Sequence, residues 1–247
     1  MDEALVAETV QIQGYGGDRI AAYFARPLGR GRFPGVLVVH HMPGWDASTK
    51  EITRRFAANG YCAVCPHLHY REGPAASPDD AAAAVRAKGG VPDERFLGDA
   101  AAAVAFLRSR PESNGKVGAI GYCSGGRQVF LAACTLDLNA AVDCYGGFVA
   151  EPLPEGVVFD IRPVIDQAPS LRCPLLGLFG AEDQHPAPAE TRQIAEVLKA
   201  HNKVFEFHTF DGAGHAFFSV DRPNYRVDAA VQGWRHVLAW FERHLQG

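Results

Sequence analysis

The segment Gly121-Tyr122-Cys123-Ser124-Gly125-Gly126 constrains this chain more than any other stretch. It follows the apolar run Val117-Gly118-Ala119-Ile120 and precedes Arg127-Gln128-Val129-Phe130-Leu131-Ala132-Ala133, which has helical character. A strand must therefore turn sharply into a helix, with a cysteine at the apex and a glycine two residues to either side. The apex residue of such a turn is held in a strained backbone conformation, and small neighbours are needed for strand and helix to approach. The turn also sets the Cys123 thiol at a helix N-terminus, where unpaired N–H groups and the helix dipole favour thiolate. The pattern predicts a nucleophilic cysteine. Its competitor is a buried cysteine in a glycine-rich turn, since free cysteine is among the most buried residue types.

No Ser/Gly linker, low-complexity tract or internal repeat divides the 247 residues, so residues 1–247 read as a single domain. A hydrophobic content of 47% with 21% charged residues supplies a full core, and a net charge of −4 gives no case for nucleic-acid binding. The start Met1-Asp2-Glu3-Ala4-Leu5-Val6 is acidic and lacks the basic and apolar regions of a signal peptide. No apolar run approaches membrane-spanning length. A cytoplasmic location is the expectation. Six cysteines, at 62, 65, 123, 134, 144 and 173, are too scattered for a disulfide framework. Cys62 and Cys65 have CxxC spacing, but they lie in the apolar run 61–65, where positions three apart face opposite sides of a strand. Structural cysteines are expected there.

The rest of the chain alternates between strand and helix signals. Segments 8–13 and 19–24, joined by Gly14-Tyr15-Gly16-Gly17-Asp18, predict an N-terminal β-hairpin. Pro34-Gly35 opens the run 36–39, of the kind found in buried parallel strands. Ser48-Thr49-Lys50-Glu51 has the capping-box pattern and predicts a helix from 48 to 60. Further strands are expected at 61–65, 116–122, 140–145, 175–179 and 203–210, with helices at 79–88, 93–110 and 188–200 and an amphipathic helix at 227–245. This order calls for an α/β fold: a mostly parallel sheet with helices on both faces, and reactive residues in loops at the carboxyl ends of the strands.

A cysteine nucleophile needs a base, and a triad adds an acid that orients it. In the order of α/β-hydrolases both follow the nucleophile at strand ends. The first downstream loop is Gly180-Ala181-Glu182-Asp183-Gln184-His185, and the second is Asp211-Gly212-Ala213-Gly214-His215-Ala216-Phe217. His215, flanked by small residues, is the expected base. Asp183 is the expected acid, with Glu182 and Asp211 as competitors. The oxyanion hole should combine the Ser124 N–H with one from the loop His40-His41-Met42-Pro43-Gly44-Trp45. Pro43 has no N–H, which leaves His41 or Met42, and Met42 is the choice. Adjacent histidines at 40 and 41 could suggest a metal, but neighbouring strand residues face opposite ways and no third ligand has suitable spacing, so no metal is expected. His41 could pair with a Cys123 thiolate as imidazolium or bond to backbone in a tight loop; both readings stand.

With these residues in place the chain resembles the dienelactone hydrolase family of α/β-hydrolases. The likeness runs through 36–45, 60–66, the turn at 121–126, 174–183 and 212–217. The resemblance implies a triad at Cys123, Asp183 and His215, an oxyanion hole from the Met42 and Ser124 amides, and no metal or organic cofactor. It also implies hydrolysis of a small ester or lactone, the namesake reaction opening dienelactone to maleylacetate. Well-known members carry a glutamate beside the nucleophile in the loop after the third strand; His41 stands here instead. Where those members hold a substrate carboxylate with two arginines, this chain has Phe218-Ser219 with Arg222 further on, and no arginine in 81–85 until Arg86. Tyr70, Arg71, Tyr145 and Trp45 are further candidates for substrate contact, and the expected assembly is a monomer or homodimer. Two rivals remain: a binding module without turnover on the same scaffold, and a thiol redox protein that pairs Cys123 with Cys134 or Cys144.

Overall fold

The computed structural model describes residues 4–157 and 159–246; the acidic start Met1-Asp2-Glu3 lies outside them. Its strands are β1 (Leu5–Gln13), β2 (Arg19–Pro27), β3 (Phe33–Val39), β4 (Cys62–Pro66), β5 (Ser113–Tyr122), β6 (Ala140–Cys144), β7 (Leu175–Gly180) and β8 (Phe205–Phe210). They form one sheet in the order β1-β2-β4-β3-β5-β6-β7-β8. β1 pairs antiparallel with β2, and β2 with β4. The pairs β3–β4, β6–β7 and β7–β8 are parallel. Among the described residues six α-helices intervene: α1 (Ala47–Ala58), α2 (Pro78–Ala87), α3 (Asp93–Ser109), α4 (Ser124–Thr135), α5 (Pro188–Ala200) and α6 (Val227–Leu245). The expected α/β architecture is present. None of the described helices is long and apolar enough to cross a membrane. Contacts divide the chain into two compact units, one of Met1–Gly118 with Gly156–Ile161 and one of Ala119–Glu155 with Arg162–Gly247.

In the first unit the predicted hairpin extends beyond the alternating core, from Leu5 opposite Pro27 to Gln13 opposite Arg19. β3 reads as an unbroken apolar run because Val36, Leu37, Val38 and Val39 are all fully buried, as in a strand covered on both faces. The cap of α1 corrects the sequence reading. Asp46, not Ser48, is the N-cap, and its Oδ1 accepts the Thr49 N–H at 2.9 Å. Ser48 lies inside the first turn. A carboxylate in extended backbone answers both the orphan N–H groups and the positive helix end, so it outcompetes a hydroxyl two residues on. Cys62 and Cys65 are buried free thiols, and burial pushes the Cys62 thiol up to about 12.

In the second unit the parallel register sets three strand ends side by side. Cys144 lies opposite Leu178, and Gly180 opposite Phe210. Backbone bonds then stitch the loops that follow: Cys123 N–H to Cys144 O at 3.0 Å, Tyr145 N–H to Leu178 O at 2.9 Å, Ala181 N–H to Phe210 O at 3.0 Å, and Glu182 N–H to Ala213 O at 2.9 Å. The cysteine turn, the acidic loop and the histidine loop are therefore tied into one row. α6 supports the histidine loop. Its buried stripe, Ala229, Ala230, Gly233, Val237, Trp240, Phe241 and Leu245, follows the helical period. A side chain at Gly233 would run into the Phe218 ring, so glycine there lets that ring seat against the helix.

Candidate active site

β5 ends at Tyr122 and α4 begins at Ser124, leaving Cys123 alone at the apex with φ 56° and ψ −121°. That conformation costs a non-glycine residue about 1–3 kcal/mol and persists only where its surroundings enforce it. The enforcement is visible on both sides. A Cβ at Gly121 would collide with the Gly125 carbonyl, and one at Gly126 with the Asp143 carboxylate and Gly146 backbone. The Cys123 carbonyl accepts the Gly126 N–H at 2.9 Å and the Arg127 N–H at 3.4 Å. Those bonds leave the Ser124 and Gly125 amides as the first-turn donors that α4 does not use for its own cap. The thiol is half-buried.

His215 reaches this turn with two side-chain partners. Its Nδ1 bonds Asp183 Oδ2 at 2.9 Å, and the ring also shares a hydrogen bond with the Cys123 side chain. Burial pushes the imidazole pKa down, but Asp183 and Cys123 carry it up to about 10. Asp183 is 2% exposed, and its other oxygen accepts the His185 N–H at 2.9 Å. Its competitors Glu182 and Asp211 are both exposed. The structure thus joins the three residues that sequence order nominated, and no other carboxylate has an ion pair with His215 among the described residues.

Tyr145, a candidate for substrate contact, lies directly beside the histidine. The residue is 1% exposed, has φ 45°, and sets its ring edge-on to His215 at 5.2 Å and to Phe217 at 5.2 Å. Its hydroxyl bonds Ser219 and the Phe218 backbone, while burial pushes the phenol pKa well up. Sequence reasoning missed Asp143, which accepts the Gly146 N–H at 2.8 Å and is pushed up to about 8 by burial. Its signal was a carboxylate inside the apolar run Ala140-Ala141-Val142-Asp143-Cys144.

The remaining nominees sort by their bonds. In the first unit His41 Nε2 is 2.7 Å from Asp46 Oδ2. Although burial raises Asp46, the His41 hydrogen bond holds its carboxyl well below the usual range. Met42 occupies the turn closed by the Gly44 N–H on His41 O at 2.9 Å, and φ of +111° explains the glycine. His40 contacts His41 O through Nδ1 at 2.8 Å and accepts the Leu68 N–H on Nε2 at 3.2 Å, so both nitrogens are spent on backbone. Trp45 donates to Cys65 O at 2.9 Å and stacks on His67 at 4.8 Å, and His67 meets Tyr70 edge-on at 5.8 Å. Arg71 is engaged on several sides. Its guanidinium holds the fully buried Asp99 at 2.8 and 3.0 Å, Asp18 at 2.8 Å and Tyr15 O at 3.1 Å. Arg86 is exposed on α2, and Arg222, in the second unit, is exposed after the histidine loop.

A model of the dienelactone hydrolase family matches residues 20–245. The chain belongs to the dienelactone hydrolase family. A Methylorubrum extorquens protein named "putative carboxymethylenebutenolidase" is 34% identical over 97% of this chain and 82% of its own length. The carboxymethylenebutenolidase of Pseudomonas putida is 29% identical, with 92% of each chain covered. A crystal structure of a "putative dienelactone hydrolase" from Klebsiella pneumoniae superposes with a TM-score of 0.85 at 30% identity, covering 97% of this chain and 99% of that one. As a member of the dienelactone hydrolase family the protein is a hydrolase, and its α/β sheet is the family fold.

Proposed function

We propose that this dienelactone hydrolase family member cleaves small carboxylic esters or lactones through a thioester on Cys123. The observation that carries the reading is His215 held between the Asp183 carboxylate and the Cys123 thiol. The sulfur bonds to the substrate carbonyl carbon, and the oxyanion is received by backbone amides, that of Ser124 first. Removal of one such donor typically costs about 10²–10³ in rate. The C–O bond then breaks and protonated His215 gives its proton to the leaving oxygen. Water next yields a proton to His215 and its oxygen attacks the thioester; the C–S bond breaks, releasing the acid and restoring the thiolate. In a lactone, both products are one hydroxy acid. Asp183 orients the imidazole and offsets its charge.

Residues 1–247 work as one cytoplasmic domain in this reading, as a monomer or homodimer, on a small molecule and without a cofactor. With Arg71 committed to Asp99, Arg86 and Arg222 are the cations to test for a substrate carboxylate, dienelactone included. The redox alternative is weaker, because Cys134 and Cys144 are buried and burial raises both thiol pKa values, the first to about 12. A panel of nitrophenyl esters and lactones, with and without a free carboxylate, decides. Turnover lost in Cys123→Ala is expected. No turnover on any member, or turnover untouched by that substitution, overturns the proposal.

A further inference from the structure

A second cluster of ligating side chains lies on the edge strand β8, away from the residues named above. Glu206 and His208 are two apart on β8 and share one face of it. Helix α6 lays His236 on that face, with the His208 and His236 ring centroids 3.7 Å apart and the planes inclined by 27°. Glu206 Oε1 and His208 Nε2 are 2.7 Å apart. One donor atom from each of the three residues lies within 4.8 Å of the other two. All three side chains are half-buried, and Phe210 flanks the His236 ring at 6.3 Å.

We propose that Glu206, His208 and His236 form a binding site for a borderline divalent cation of the zinc type, which staples the edge strand to the C-terminal helix. Two imidazoles and one carboxylate are the donor set such ions favour, whereas calcium and magnesium demand more oxygen. At metal–ligand distances of about 2.0–2.2 Å, tetrahedral donors sit roughly 3.3 Å apart. Glu206 and His208 place their donors 2.7 Å apart, and all three donor atoms lie within 4.8 Å of one another, a spread that small side-chain rotations bring to that value. Arg243 approaches the other Glu206 oxygen, with Nη1 3.7 Å from Oε2, and leaves Oε1 to the ion. Binding replaces the Glu206–His208 hydrogen bond, with the His208 proton on Nδ1 so that Nε2 faces the ion, and a water fills the fourth position.

The test is calorimetric titration of Zn²⁺ into the full chain carrying Cys123→Ala, which removes the reactive thiol as a competitor. One saturable site is expected, and no response to Ca²⁺. His236→Ala and Glu206→Gln should each weaken Zn²⁺ by at least tenfold while melting, without metal, at the temperature of the parent. Zn²⁺ should raise the melting temperature of the parent and not that of the variants. Absence of saturable binding, or equal affinity in parent and His236→Ala, overturns the proposal.

Discussion

His215 and the pair His67 and His69 all follow parallel strands in buried surroundings, yet their protons respond in opposite directions. His215 has Asp183 on one nitrogen and Cys123 as a second side-chain partner, and its pKa rises despite burial. His67 and His69 have no hydrogen-bond partner on Nδ1 among the described residues, and burial lowers them to about 4 and about 3. The positive charges of Lys50, for His67, and Arg95, for His69, add to that fall. Burial by itself makes an imidazole a neutral aromatic wall, stacked on Trp45 in the case of His67. A buried carboxylate at the right nitrogen favours its protonated form instead.

The largest effects should fall on the first of these regions. Cys123→Ala should lower ester hydrolysis by about 10⁴-fold or more in steady-state assays. Asp183→Asn keeps the shape but removes the charge and reverses the tautomer preference at Nδ1, so a loss of about 10³–10⁴ in kcat is expected. His67→Phe supplies the contrast: kcat should stay within a few-fold of the parent, and a loss on the scale of Asp183→Asn would erase the distinction between the regions.

pH separates the two regions more gently. The folded pKa of His215 lies above its unfolded value of about 6.5, so its share of stability is full below that pH and lost as pH rises toward the folded value. His67 and His69 lie below about 6.5 when folded, so their share is full above that pH and lost as pH falls toward 4 and 3. Ring C–H resonances followed by NMR should show His67 and His69 neutral at pH 6; titration near 6.5 would break the account of them. The smallest effect belongs to the cap. Asp46→Ala removes the Thr49 bond and the His41 partner, and should cost about 1 kcal/mol in denaturant unfolding.

Much of this was legible in the order of residues. Helices α5 and α6 begin and end where the apolar period says, and the row Cys123, Asp183, His215 follows from three turns at three strand ends. What escaped was set by partners far away in the chain. Arg71 looked available until Asp99, 28 residues on, took its guanidinium. The sequence gives no sign that the Phe217-Phe218-Ser219 segment encloses Tyr145. Asp46 became a cap because His41 holds its second oxygen, a bond that a search for Ser-x-x-Glu patterns does not see. Local spacing reports local geometry; which side chains a long-range ion pair consumes is decided only in the folded chain.

The central claim is that Cys123 carries the acyl group during turnover. Rapid acid quench of the protein with a short-chain nitrophenyl ester, followed by peptide mass spectrometry, tests it directly. The account predicts one acyl group on the peptide containing Cys123, formed at the rate of the nitrophenol burst and absent from Cys123→Ala. An acyl label on another residue, or full turnover with no label on Cys123, would contradict it.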